Sequence, residues 1–285
     1  MKKMTISDFE PDYSYRQCVS AIKSEEERRK MLAQVDNIKI AAIDFLEHSK
    51  AGTTSSIPPV RIAKGDNPSV VGDITKAEMV RLYEYYMVKR EPGRSIYNAI
   101  LISAEESCPL CGGIGHAKTL DHYLPKANYP LLTVLPYNLV PACRDCNTEK
   151  GNPIITDAAE QLIHPYYDQA CFYDDTWVVA EVTHESPCAI KFSACPPEQW
   201  LPLNKSRANR HFEFFSIARR YGIRAGEELG TLVDQRRGFL KTFSPEQFSL
   251  YLKSVAESPT LFPNHWRKVM YLALAEDEWF CSADL

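Results

Sequence analysis

The chain has 285 residues, a formal charge of −4 and a pI near 6.0, so no global positive field draws nucleic acid to it. An apolar share of 45% and a charged share of 25% fit a globular protein of one large domain or two ordinary ones. The opening MKKMTISDFE has no apolar core of a signal peptide, and no run approaches the roughly 18 apolar residues of a membrane span, so a cytoplasmic place is expected.

Ser24 and Glu27 form an S-x-x-E capping pattern before a long helix, in which Met31, Val35, Ile38, Ala42 and Phe45 recur at spacings of four and three. Gly52 is its natural stop, and residues up to Pro68 are rich in Gly, Ser, Thr and Pro, which predicts a loop. Thr75 and Glu78 cap a second helix with Met79, Leu82, Tyr83 and Tyr86 on one face, ended by Pro92-Gly93. A short helix is predicted over 95–102. Residues 108–153 lack helical period and are dense in turn formers. Residues 177–183 and 189–193 read as a strand pair. From Leu203 the pattern turns helical: Phe214, Ala218 and Tyr221 share a face, Ser244-Pro-Glu-Gln is a capped start, and Asn264 opens a last amphipathic helix. The expected class is α+β, with a helical region over 1–107, a small metal module over 108–153, and a strand pair followed by helices over 154–285.

Nine cysteines carry the sharpest signal. Cys108-Pro-Leu-Cys111 and Cys143-Arg-Asp-Cys146 are separated by 31 intervening residues, and each C-x-x-C can turn two thiolates toward one tetrahedral ion. Two such knuckles complete a four-thiolate shell with no open position, hence a structural zinc. Gly112-Gly113 follows the first knuckle, where the backbone must turn sharply. A redox dithiol at C-P-x-C would leave the second pair without a purpose, and no βαβ pattern surrounds it. Cys18, Cys171, Cys188, Cys195 and Cys281 read as small buried apolar residues.

Between the knuckles lie Asp121-His122 and, after fifteen intervening residues, Asn138; after eight more intervening residues comes Asn147. A carboxylate that holds a hard cation, an imidazole that deprotonates water, and amide oxygens that ligate or fix loops suit phosphodiester hydrolysis. In this combination of knuckles, Asp-His and two asparagines, the sequence resembles the HNH, or ββα-metal (His-Me finger), endonucleases, in the branch with Asn at the last H position. The resemblance covers about 45 of the 285 residues. It implies a treble-clef-like module in which His122 is the general base, Asp121 and Asn147 hold a catalytic Mg²⁺ or Mn²⁺, and Asn138 pins the loop between two strands. Oxygen from Asn147, in place of imidazole, favours those cations over a second zinc. Lys150 matches a helix lysine that would contact phosphate, with a charge at the helix C-terminus as the alternative.

Residues 108–152 carry four basic groups (Lys118, Lys126, Arg144, Lys150) and three acidic ones (Asp121, Asp145, Glu149), so substrate affinity is sought elsewhere. Lys126 reads as a solvated surface residue, and His116 and His164 receive no role. Lys205, Arg207, Arg210, Arg219, Arg220 and Arg224 face only Glu213 across 205–224, interleaved with Phe212, Phe214, Phe215 and Tyr221. That pattern suits a phosphate backbone and stacked bases, or equally an amphipathic helix with solvated arginines. The expected activity is metal-dependent hydrolysis of nucleic acid, DNA ahead of RNA. The competing classes are a non-catalytic zinc-knuckle module that binds nucleic acid or protein, and an RNA-cleaving nuclease. The resemblance further implies a role in bacterial restriction or antiphage defence, with an ATPase or other regulator as partner, and a two-fold homo-oligomer would suit double-strand breaks.

Overall fold

The computed structural model describes residues 1–5, 9–63, 65–185 and 187–282. It is a mixed α and β structure that divides into two compact units: residues 3–109 with 115–168, and residues 1–2, 110–114 and 169–285.

In the first of these, helices α1 (Tyr13–Ser20), α2 (Glu25–Leu32) and α3 (Val35–Ala51) open the chain. The Glu27 amide donates to the Ser24 hydroxyl at 3.2 Å, so the helix starts where the sequence signals it. The single long helix expected there is two, because Gln34 leaves helical geometry (φ −104°, ψ 7°). Met31, Val35, Ile38, Ala42 and Phe45 are all buried nonetheless, so the break preserves the apolar phase. Gly52 closes α3 in the left-handed conformation at φ +69°. A tight hairpin of β1 (Ser69–Val71) and β2 (Ile74–Thr75) leads into α4 (Lys76–Arg81), whose Thr75–Glu78 capping box is complete. The helix then widens into a π turn over Leu82–Met87, and α5 (Gly93–Ile102) follows.

The strands β3 (Thr119–His122) and β4 (Leu139–Ala142) pair antiparallel, with Asp121 opposite Val140 and His122 opposite Leu139. Helix α6 (Arg144–Lys150) follows directly. Leu120, Leu139 and Val134 from this hairpin share one buried cluster with Tyr15, Val19, Met31, Ile38, Met79, Leu82, Tyr83 and Ile96. This hairpin therefore packs against the N-terminal helices of its own unit. Two four-residue strands and two helical turns bury too few side chains, at about 1.5–3 kcal/mol each, to offset the entropy of ordering that segment.

In the second unit, α7 (Cys171–Asp174) precedes β5 (Val178–Val182) and β6 (Ile190–Ala194), which pair in full register from Val178–Ala194 to Val182–Ile190. Helices α8 (Pro202–Phe214), α9 (Ile217–Arg237), α10 (Pro245–Ala256), α11 (Trp266–Glu276) and α12 (Glu278–Ser282) complete it, with α9 on β6 and α11 on β5. The Ser244–Gln247 capping box is formed. Three expectations fail here. Phe214, Ala218 and Tyr221 do not share a helix face, because the chain breaks at Ser216 (φ +49°) and Ala218 is exposed. Asn264 does not cap the last long helix; His265 does, accepting from the Arg267 amide at 3.1 Å. Asn264 is wholly buried: its Oδ1 accepts from the amides of Trp177 (2.8 Å) and Val178 (3.0 Å), and its Nδ2 donates to the Asp175 carbonyl at 2.8 Å. Cys195 is exposed, contrary to its expected burial. Among the described residues, no helix is long and apolar enough to cross a membrane.

Candidate metal centre and adjoining cavity

Cys108, Cys111, Cys143 and Cys146 are buried, and their Sγ atoms all lie within 4.8 Å of one another. Thiolates on a tetrahedral zinc, with Zn–S bonds of about 2.3 Å, stand about 3.8 Å apart, so the four sulfurs fit such an ion with small movements. The local chain explains the approach. The Cys108 amide donates to the Gly115 carbonyl at 2.8 Å, and Ser107 bridges His116, which closes a loop around the first knuckle. Gly112 and Gly113 have φ of +64° and +86°, and a Cβ on Gly112 would lie 2.1 Å from the Tyr221 hydroxyl oxygen, so only glycine fits there. Cys143 is the N-cap of α6, with its sulfur 3.5 Å from the Cys146 amide, which brings the second pair to one side.

Along α6, Cys146 and Lys150 are one turn apart and both buried, while Asn147 is half-buried on the adjoining face. Asn147 lines a cavity of about 290 Å³ together with Asp121, His122, Lys126 and Tyr83. Asp121 and His122 are neighbours at the end of β3, 6% exposed each. Nε2 of His122 lies 2.7 Å from the Thr133 carbonyl oxygen. A carbonyl only accepts, so Nε2 carries the proton and Nδ1 keeps the basic lone pair. Burial, followed by the charge of Lys126, brings the His122 pKa down to about 3, so the ring is neutral. The Tyr83 ring meets the imidazole edge-on, with centroids 4.4 Å apart.

Asn138 is wholly buried, with Oδ1 accepting from the Leu124 amide at 2.7 Å and Nδ2 donating to the carbonyls of Leu124 (3.0 Å) and Leu132 (3.3 Å). These bonds tie both ends of the loop between β3 and β4, the loop that carries Thr133. Lys150 is not placed to meet a substrate. Its side chain is 2% exposed, with Nζ donating to the His122 carbonyl at 2.5 Å and lying 3.0 Å from Oδ2 of Asp121. Burial pushes the Asp121 carboxyl above the usual carboxylate range, against the pull of that ammonium.

The basic segment is also different from its sequence pattern. Arg207 is 1% exposed, with its guanidinium 5.1 Å from the Phe172 ring centroid, so it belongs to the interior. Arg210 is half-buried over Phe214, Arg219 is exposed, Arg220 is half-buried, and Arg224 is bridged to Glu227 at 3.1 Å. A continuous exposed stripe is absent among these residues because the helix break at Ser216 separates their faces. His164 is a core residue packed on Phe45, Tyr123, Tyr166 and Tyr167. Sequence reasoning missed Tyr83 and Lys126 as cavity residues. Periodicity shows that Tyr83 points inward but not onto what, and nothing near Lys126 distinguishes it from a solvated lysine.

No family model matches the chain, and no solved structure matches it. Protein ea31 of Escherichia phage lambda is 41% identical to it over 225 residues, which span 74% of this chain and 76% of the phage protein. Identity at that level over three quarters of both sequences places the chain in the family of phage lambda protein ea31.

Proposed function

We propose that the cavity is the active site of a divalent-metal-dependent HNH endonuclease acting on DNA in preference to RNA, on a treble-clef-like ββα frame closed by a structural zinc. One observation carries the reading: a histidine fixed through Nε2 lines the same cavity as Asp121 and Asn147. That arrangement supplies a base and oxygen ligands side by side, on a frame the cysteines hold.

The chemistry assigned to these residues follows from their positions. The Nδ1 lone pair of His122 takes a proton from the attacking water. An anionic substrate raises the basicity of that ring as it arrives, because nearby negative charge favours imidazolium. Asp121 and Asn147 offer oxygen donors, which suit Mg²⁺ or Mn²⁺. Bound there, such a cation would stabilise charge on the phosphate and the leaving oxygen. Asn138 and the Thr133 carbonyl fix the orientation of the base, and Lys150 anchors the strand end that carries Asp121 and His122.

The test is a cleavage assay with zinc-loaded protein on supercoiled plasmid, linear duplex DNA and RNA, in Mg²⁺, Mn²⁺ or chelator. DNA should be cut in either metal, spared in chelator, and cut again when metal is restored. A zinc-loaded protein that cuts none of these substrates would contradict the reading and favour a zinc-knuckle binding module.

A further inference from the structure

We infer that Lys126 is the residue of this cavity that takes the substrate's phosphate, and that Tyr83 seats it beside His122. The inference rests on the nuclease reading above and assigns its substrate contact. Of the two lysines next to His122, Lys150 has its donors committed to the His122 carbonyl and to Asp121, inside the protein. Lys126 is differently held. It lines the cavity, its side chain is 30% exposed, and its ammonium is 3.5 Å from Glu84, whose own side chain is 59% exposed. An ion pair so open to water contributes about 0–1 kcal/mol and is screened by salt, so a phosphodiester oxygen can displace it. An ammonium with three rotatable donors suits that role, since it needs no fixed fork geometry.

Tyr83 fixes where this cation stands. The Lys126 Nζ is 5.3 Å from the Tyr83 ring centroid, and the same ring meets the imidazole of His122. The Tyr83 hydroxyl donates to the Leu120 carbonyl of β3 at 3.1 Å, which locks the ring to the strand that carries the base. One aromatic residue thus touches the base, the cation and the strand backbone. It sits in the π turn over Leu82–Met87, an irregularity frequently found at functional sites. The N-terminal helices therefore complete the cavity as well as its core.

The experiment compares wild type with Lys126→Ala, Lys126→Arg, Tyr83→Phe and Tyr83→Leu. Binding of a labelled DNA duplex is measured in chelator over a range of salt, and steady-state cleavage of the same duplex in Mg²⁺. Lys126→Ala should weaken binding about tenfold and reduce the salt slope by about one, with KM raised more than kcat is lowered. Lys126→Arg should restore most of the binding. Tyr83→Phe keeps the ring but loses its bond to the Leu120 carbonyl and should lower kcat a few-fold, whereas Tyr83→Leu should lower kcat by more than tenfold as well as weaken binding. If wild type cuts and Lys126→Ala binds with an unchanged salt slope, the phosphate assignment is overturned while the nuclease reading stands. If Tyr83→Leu keeps wild-type kcat and binding, its positioning role is overturned. A wild type that cuts nothing removes the nuclease reading and this inference with it.

Discussion

Asp121 and Lys150 meet at 3.0 Å with side chains 7% and 2% exposed, so each charge depends on the other. Removing one partner of such a pair costs about 3–5 kcal/mol, because the remaining charge stays buried without compensation. Lys150→Met should therefore lower the stability of the first unit by about 3 kcal/mol, read from the urea midpoint. Adding Asp121→Asn should recover part of that loss without recovering cleavage; a single variant as stable as wild type would contradict the pairing. Asp121→Ala or Asn147→Ala should raise the Mg²⁺ concentration needed for half-maximal cleavage, and an unchanged metal dependence would remove that residue from the ligand set. At this scale the sequence was legible in part. Residue type and spacing single out Asp121, His122, Asn138 and Asn147, and the structure lines one cavity with three of them while Asn138 ties the loop beside it. The surroundings of Lys150 and Arg207 are not legible in the sequence, which shows charge but not burial, and both cations turn inward to partners distant along the chain.

Among the elements, the four-cysteine site is held by two short turns: the first knuckle with its left-handed glycines, and the N-terminal turn of α6. Neither has a substantial core, and zinc binding to thiolates contributes on the order of 10 kcal/mol in small metallo-domains. Cys143→Ser should release the metal and expose residues 108–152 to protease before it alters any chemical step. One zinc per chain in wild type and its loss in the variant, by elemental analysis, is the expected outcome; a folded, protease-resistant variant would contradict the four-thiolate assignment. Capping chemistry made the starts of α2, α4 and α10 readable, since Ser24, Thr75 and Ser244 each bond to a local amide. The breaks at Gln34 and Ser216 were not readable, because neither residue is a helix breaker and each departs from helix only in its folded surroundings. Asn264 misled for a related reason. Its type suits a cap, but its amide is used to fasten the start of β5, 87 positions away in sequence from the Trp177 amide.

Over the whole molecule, Leu120, Val134 and Leu139 share one buried cluster with the N-terminal helices, a long-range fact that no local pattern encodes. A pH effect on stability belongs at this scale. Burial, then the charges of Arg267 and the N-terminus, hold the His265 pKa down to about 4 against 6.5 for the free side chain. A depressed folded pKa means that the stabilisation is present above about 6.5 and is lost as pH falls toward about 4, since the unfolded chain takes up the proton first. The urea midpoint of the second unit should fall between pH 7 and pH 5, and His265→Asn, which retains a capping acceptor, should flatten the fall; an equal fall in the variant would contradict the assignment. The central claim is that His122 does chemistry and closes no structural shell. Its most direct test is single-turnover cleavage of supercoiled plasmid in Mg²⁺ by wild type and by His122→Ala, each with its zinc content measured. The expected result is a rate reduced by at least about a hundredfold with zinc and duplex affinity unchanged, because a positioned general base contributes about 10²–10⁴ in rate. A zinc-loaded His122→Ala protein that cuts within about tenfold of wild type would contradict it.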